Sequence, residues 1–133
     1  EKATAALGQA LRVQAVPNQM IFAPRELRVK AGAKVRLIFD NPDLMLHNFV
    51  LVARDAAEEV GALADKLAAD PGGMARHFVP ESPKVLLSTP LVPPHTKSEL
   101  TFDAPREPGE YPYLCTFPGH WRVMRGVLVV EAP

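Results

Sequence analysis

Cysteine is almost absent from this chain: Cys115 stands alone, so no disulfide can form within it. A solitary cysteine is an inert core side chain, a reactive thiol or a metal ligand, and its neighbours decide among the three. Also missing is any apolar run near the ~18–20 residues that a membrane-crossing helix needs, which argues against membrane insertion. Neither sign of charge is in excess, with 15 Lys plus Arg against 15 Asp plus Glu and no basic stripe. That balance argues against nucleic acid as a partner and against docking by strong net charge. Glycine is outnumbered by proline, eight to fourteen, a ratio suited to many short strands joined by stiff turns. There are no internal repeats and no low-complexity segment. Glu1 is not an initiator Met and no signal-peptide pattern follows it, so the chain reads as a processed or excised product.

What is present is a globular composition. Hydrophobic residues make up 47% of 133 positions, enough for one domain with its own core. Residues 1–9 are rich in alanine and charge, with Thr4 as a candidate cap, and read as a linker or lead-in to a domain spanning 10–133.

From Leu11 the pattern has period two, as in a half-buried strand. Pro17-Asn18 predicts a turn, Met20-Ile21-Phe22 a strand that Pro24 interrupts, and Leu27-Arg28-Val29 its continuation at an edge or bend. Val35–Phe39 is a clear strand, Asp40-Asn41-Pro42-Asp43 a dense turn signal, and His47–Val52 a further strand. Asp55–Ala69 breaks this rhythm, because Val60, Leu63, Ala64 and Leu67 recur with helical spacing. Asp55 and Glu58 resemble a capping box, and Asp70-Pro71-Gly72-Gly73 ends the helix. Strands resume at Val85–Leu87, Ser98–Phe102, Tyr111–Cys115 and Val127–Val130. Seven or eight strands with one inserted helix predict an all-β, two-sheet sandwich with Greek-key connections. The helical stripe is packing and implies no cofactor.

The chemistry concentrates in Cys115-Thr116-Phe117-Pro118-Gly119-His120-Trp121-Arg122-Val123-Met124. A thiol, an imidazole and a thioether share one interstrand loop, and Pro118-Gly119 lets that loop fold back on itself. A thiolate with two imidazoles and a weak thioether is the donor set of a copper electron-transfer site. Zinc prefers four firm donors, while calcium and magnesium prefer oxygen. The second imidazole must come from His47, His77 or His95. His47 stands where the Asn41–Leu46 loop enters a strand and is the best placed. His77, after Gly72-Gly73, and His95, after Pro93-Pro94, read as surface residues.

With Leu46-His47-Asn48-Phe49-Val50-Leu51 and the Cys115-to-Met124 loop in view, the chain resembles the cupredoxins, and within them the azurins. The likeness spans about Leu11 to Val130. It implies that His47, Cys115 and His120 bind one Cu(I)/Cu(II) ion, with Met124 as a weak axial contact. It also implies that the backbone amides of Asn48 and Phe117 point at the Cys115 sulfur, and that the Asn48 side chain ties the two ligand loops together. Leu46 supplies the possible axial carbonyl, although azurins usually carry glycine there. The family's structural disulfide has no counterpart, since Cys115 has no partner.

The function so implied is that of a type 1 (blue) copper protein shuttling one electron between redox partners such as a cytochrome. The alternative is a copper relay domain excised from a larger haem-containing oxidoreductase, with the haem domain attached. Neither paired carboxylates nor an open metal site argues for an enzyme. Copper storage fits poorly, because the four methionines are scattered. The resemblance implies a periplasmic or other extracytoplasmic setting. His120, beside Pro118-Gly119, is expected to reach the surface as the route for electrons. Trp121 reads equally as core or as part of an apolar docking patch with Leu44, Met45 and Pro118. Arg122 and Arg125 read as solvated, with a possible part in docking.

Overall fold

Alternating apolar residues sort to one face of a strand, and the computed structural model, which describes residues 9–133, packs two such faces together. One sheet contains β1 (Gln9–Ala15), β2 (Phe22–Ala23), β4 (Lys34–Asn41) and β7 (Thr96–Asp103), in the order β2-β1-β4-β7. The other contains β3 (Glu26–Lys30), β5 (Val50–Val52), β6 (Val85–Ser88), β8 (Gly109–Leu114) and β9 (Arg125–Glu131), in the order β3-β9-β8-β5-β6. The predicted sandwich with one inserted α-helix is therefore observed. It has nine strands among the described residues, because Pro24 splits the 20–29 segment between sheets. Lacking an N–H, Pro24 cannot continue a ladder; β2 pairs with β1 before it and β3 pairs with β9 after it. The Thr4 cap and residues 1–8 of the expected lead-in lie outside the described residues, while Gln9 already pairs with Val35.

Between the sheets lies an aromatic centre. Phe22 meets Phe39, Phe49 and Tyr113 edge-on, with ring centroids 5.1–5.8 Å apart, and Phe49 stacks on Tyr113 at 4.8 Å. Edge-to-face contacts align the positive ring edge with the negative face of its neighbour. Cys115 and Met124 belong to this same buried cluster. The core therefore runs directly into the loop that carries the chemistry.

Val50-Leu51-Val52 is buried on both faces, and α1 (Ala57–Ala68) explains why. Leu51 points into the sandwich, while Val50 and Val52 join Val60, Ala64, Leu114 and Trp121 in a second cluster beneath the helix. Two-sided burial turns an alternating pattern into a continuous apolar run. The expected capping box does not form. Ala56 is the N-cap without a side-chain bond, Asp55 adopts a left-handed φ of 60°, and the Glu58 carboxylate pairs with Arg125 instead.

The predicted 47–52 strand begins only at Val50, because the amides before it are diverted. His47 makes an isolated bridge to Val92, the Asn48 amide turns to the Cys115 sulfur, and the Phe49 amide donates to Thr89 Oγ1 at 3.0 Å.

Candidate metal centre

Two loops at one end of the sandwich meet here, and each is shaped by its own sequence. In the second, the His120 amide donates to the Phe117 carbonyl at 3.0 Å, closing a β-turn with Pro118 and Gly119 at its corners. Gly119 has φ +85°, the left-handed value that the second corner of a type II turn requires. One helical turn follows, with the Met124 amide donating to the His120 carbonyl at 2.8 Å. The Cys115 amide then donates to the Met124 carbonyl at 3.0 Å and closes the base of the loop. A ten-residue segment thus turns its thiol and imidazole toward one point, with Met124 fully buried beside Cys115 in the core cluster.

In the first loop, Asn41 does the shaping. Its side-chain amide donates to the carbonyls of Met45 and Val92, both at 2.8 Å, and its oxygen accepts from the Asp43 amide at 3.0 Å. This curls residues 42–46 and delivers His47 fully buried.

Asn48 joins the two loops. Its side-chain oxygen accepts from the Thr116 amide at 2.8 Å, and its side-chain nitrogen donates to Thr116 Oγ1 at 2.9 Å and to the His77 carbonyl at 3.0 Å. His77 and Phe78 both take left-handed φ angles of 57° and 54°, so this carbonyl is held at some backbone strain.

The result is a compact donor cluster. Nδ1 of His47 lies 3.7 Å from Cys115 Sγ, and Nδ1 of His120 lies 3.6 Å from it. All three donor atoms fall within 4.8 Å of one another, and all three residues are buried. Among the described residues this is the one such group; His77 and His95 lie exposed outside it, as expected. The Asn48 amide approaches the sulfur at 3.5 Å, and the Phe117 amide also favours its thiolate form. Leu46 is half-buried immediately before His47.

Burial governs the titration of these groups. It pushes the Cys115 thiol up to about 11, against the opposing pull of the Asn48 and Phe117 amides. It also pushes His120 down to about 4, helped by the neighbouring His47 and opposed by Asp43. At pH 7 the metal-free site therefore holds a protonated thiol and a neutral His120.

His120 does not reach the surface as expected: it is 2% exposed, packed with ring centroids 5.1 Å from both Phe117 and His47. Trp121 is core and not docking surface. Its ring lies against Gly61 of α1, its Nε1 donates to Asp65 at 3.0 Å, and the guanidinium groups of Arg122 and Arg125 cover it. Those arginines are paired with Asp65 and Glu58, so they strap the ligand loop to the helix.

Two residues escaped the sequence reading. Asp43, swallowed by a turn signal, has its carboxylate 2.8 Å from His47 Nε2. Thr116 lies inside the quoted motif but shows its role only through Asn48. An acid four positions before a ligand histidine was the available clue.

The donor chemistry suits copper. The cluster presents one sulfur and two imidazole nitrogens, and the nearby carboxylate faces the far nitrogen of His47. A soft, oxygen-poor set of this kind disfavours calcium and magnesium, and it offers zinc only three firm donors.

A two-sheet sandwich with a buried Cys-His-His cluster at one end has the architecture and donor set of the blue-copper class of proteins. The comparison with known families agrees, and the chain belongs to the copper binding proteins of the plastocyanin/azurin family, whose model matches residues 9–131. It is 34% identical to auracyanin-A of Chloroflexus aurantiacus over 115 residues, covering 86% of this chain and 69% of that one. It is 33% identical to azurin of Pseudomonas aeruginosa over 92 residues, covering 67% of this chain and 59% of that one. The solved structure of auracyanin A, described as a "blue" copper protein, superposes with a TM-score of 0.80 at 31% identity, covering 92% of this chain and 98% of that one. The chain is thus a copper-binding cupredoxin of the electron-transfer class, whose members carry electrons between redox partners. No described helix is long and apolar enough to cross a membrane.

Proposed function

We propose that His47, Cys115, His120 and Met124 hold one copper ion, and that residues 10–133 form the domain that shuttles its electron between redox proteins outside the cytoplasm. The observation that carries this reading is the convergence of three buried donors, from positions 68 and 5 residues apart, within 4.8 Å. Copper held there would alternate between Cu(I) and Cu(II), taking up and giving up one electron.

The chain's own residues do the rest. The amides of Asn48 and Phe117 draw electron density from the sulfur, which favours the reduced state. The Asn48–Thr116 bonds hold the two ligand loops at a fixed separation, so little rearrangement accompanies the electron. Met124, buried and tied at both its backbone N–H and its carbonyl, would add a thioether as a weak further donor, and the Leu46 carbonyl would be another candidate to hold the ion. Burial around Cys115 excludes water and keeps its thiol from reagents in an oxidising compartment.

The exposed Leu44, Met45 and Val123 lie on the two loops that carry His47 and His120. They suit brief docking of a redox protein such as a cytochrome, at the small end of interface sizes.

The test is spectroscopic. Cu(II) added to the metal-free protein should give an intense visible band that Cys115→Ser abolishes. Met124→Leu should keep the band and raise the reduction potential. A colourless wild-type complex, or a band that survives Cys115→Ser, refutes the assignment.

A further inference from the structure

Behind His47, on the side away from Cys115, the fold buries a carboxylate. Asp43 is 3% exposed, and the interior admits an ionised acid only when its oxygens are hydrogen-bonded. Here Oδ1 accepts from the backbone amides of Asn18, 3.1 Å away, and Leu44, 2.8 Å away. Oδ2 is left to face a single partner, Nε2 of His47, at 2.8 Å. The two oxygens are therefore assigned separate tasks: one staples the loop to the turn after β1, and the other addresses the imidazole.

The chemistry of that second contact is restrictive. An ionised carboxylate can only accept, so the nitrogen facing it must carry the proton. In a neutral imidazole the remaining nitrogen then bears a lone pair. That nitrogen is Nδ1, the atom 3.7 Å from Cys115 Sγ.

We propose that Asp43 is a positioning residue for the copper site: it locks His47 in the Nε2–H tautomer, turns the Nδ1 lone pair toward Cys115, and places a negative charge behind that ligand. The inference rests on the copper assignment above for its effect on the metal, but the tautomer lock exists without metal. The two backbone amides on Oδ1 and the imidazole on Oδ2 give the buried carboxylate a partner at each oxygen. A purely structural role would use Oδ1 alone. The buried pair at Oδ2 costs desolvation that loop stapling does not require.

The substitution Asp43→Asn separates the two roles. The two backbone amides on the Oδ1 side would keep the carboxamide oxygen there, which sets its NH2 group against Nε2 and favours the opposite, Nδ1–H tautomer. In metal-free protein, the ring-nitrogen NMR of His47 should show Nε2–H in wild type, Nδ1–H in Asp43→Asn and a mixture in Asp43→Ala. In loaded protein, loss of the partner should weaken Cu(II) binding about 10–100-fold. Cu(I), carrying less charge, should lose less. Each tenfold difference between the two states reads as a rise in potential of about 59 mV.

An unchanged His47 tautomer in Asp43→Asn, together with an unchanged potential, overturns the proposal. The isosteric variant keeps the test open should Asp43→Ala fail to fold. Absence of the thiolate band in wild type would refute the copper reading instead, while the metal-free NMR still decides the tautomer lock.

Discussion

Gly61→Ala adds one methyl where the structure has no room for it. A Cβ at position 61 would sit 2.5 Å from Trp121 Cε2, and closer still to Cδ2 and Cε3 of the same ring. Carbon atoms pack at about 3.5–4.0 Å, so helix and ring must part by roughly 1 Å or more, on the order of a bond length. Overpacking of this kind costs about 1–3 kcal/mol. Alanine returns up to about 1 kcal/mol through its better helix propensity. With the full propensity gain the expected net loss is about 0–2 kcal/mol, read from urea unfolding of the metal-free protein. Because Trp121 follows His120 directly and is bonded to Asp65, the ring cannot yield without moving the ligand loop or the helix. The control is a double-mutant cycle with Trp121→Leu. That change is itself destabilising, but it removes the obstructing ring, so Gly61→Ala should become neutral or stabilising in its background. The coupling energy should be about 1–3 kcal/mol. Equal destabilisation in both backgrounds, or a stabilised single variant, would refute the clamp between α1 and the loop.

Two further outcomes follow from the site. Asn48→Ala strands the buried Thr116 amide and removes two more bonds while sparing its own backbone amide at the sulfur. Stability should fall by about 2–4 kcal/mol, with the visible band retained in folded protein, as followed by parallel denaturation and absorption; a loss below about 1 kcal/mol would refute the network. Copper loading at pH 7 should release the Cys115 proton and none from His120, since their metal-free pKa values lie at about 11 and about 4. Affinity should therefore rise with pH above neutrality, and acid should compete at His120 only near pH 4. Calorimetry in buffers of different ionisation heats measures the released proton, and heats independent of buffer would contradict the thiol assignment.

How much was legible in the sequence depended on the range of each interaction. The Cys115-to-Met124 loop is local: its Pro-Gly corner and donor spacing sit in one window, and its geometry follows from them. His47 was legible by its place at a loop-to-strand junction, although the strand itself starts three residues later because side chains capture the intervening amides. The helical stripe of Val60, Ala64 and Leu67 announced burial but not what it would cover. Since periodicity says nothing about the partner face, the burial of Trp121 beneath α1 was invisible, and so was the diversion of Glu58 to Arg125. Asp43 was hidden for another reason. Turn-forming and charge-placing roles use the same residue type, and only the fold distinguishes them.

The Asn48–Thr116 fastening also bears on when the site becomes complete. The first imidazole lies 68 residues from the thiol, and nothing short of the closed sandwich brings them together. An unfinished chain would therefore offer Cys115 as a bare sulfhydryl with one imidazole nearby, a poor chelate open to oxidants and stray ions. The complete set of donors therefore exists only in the closed sandwich, and an ion finds the whole receptacle only there.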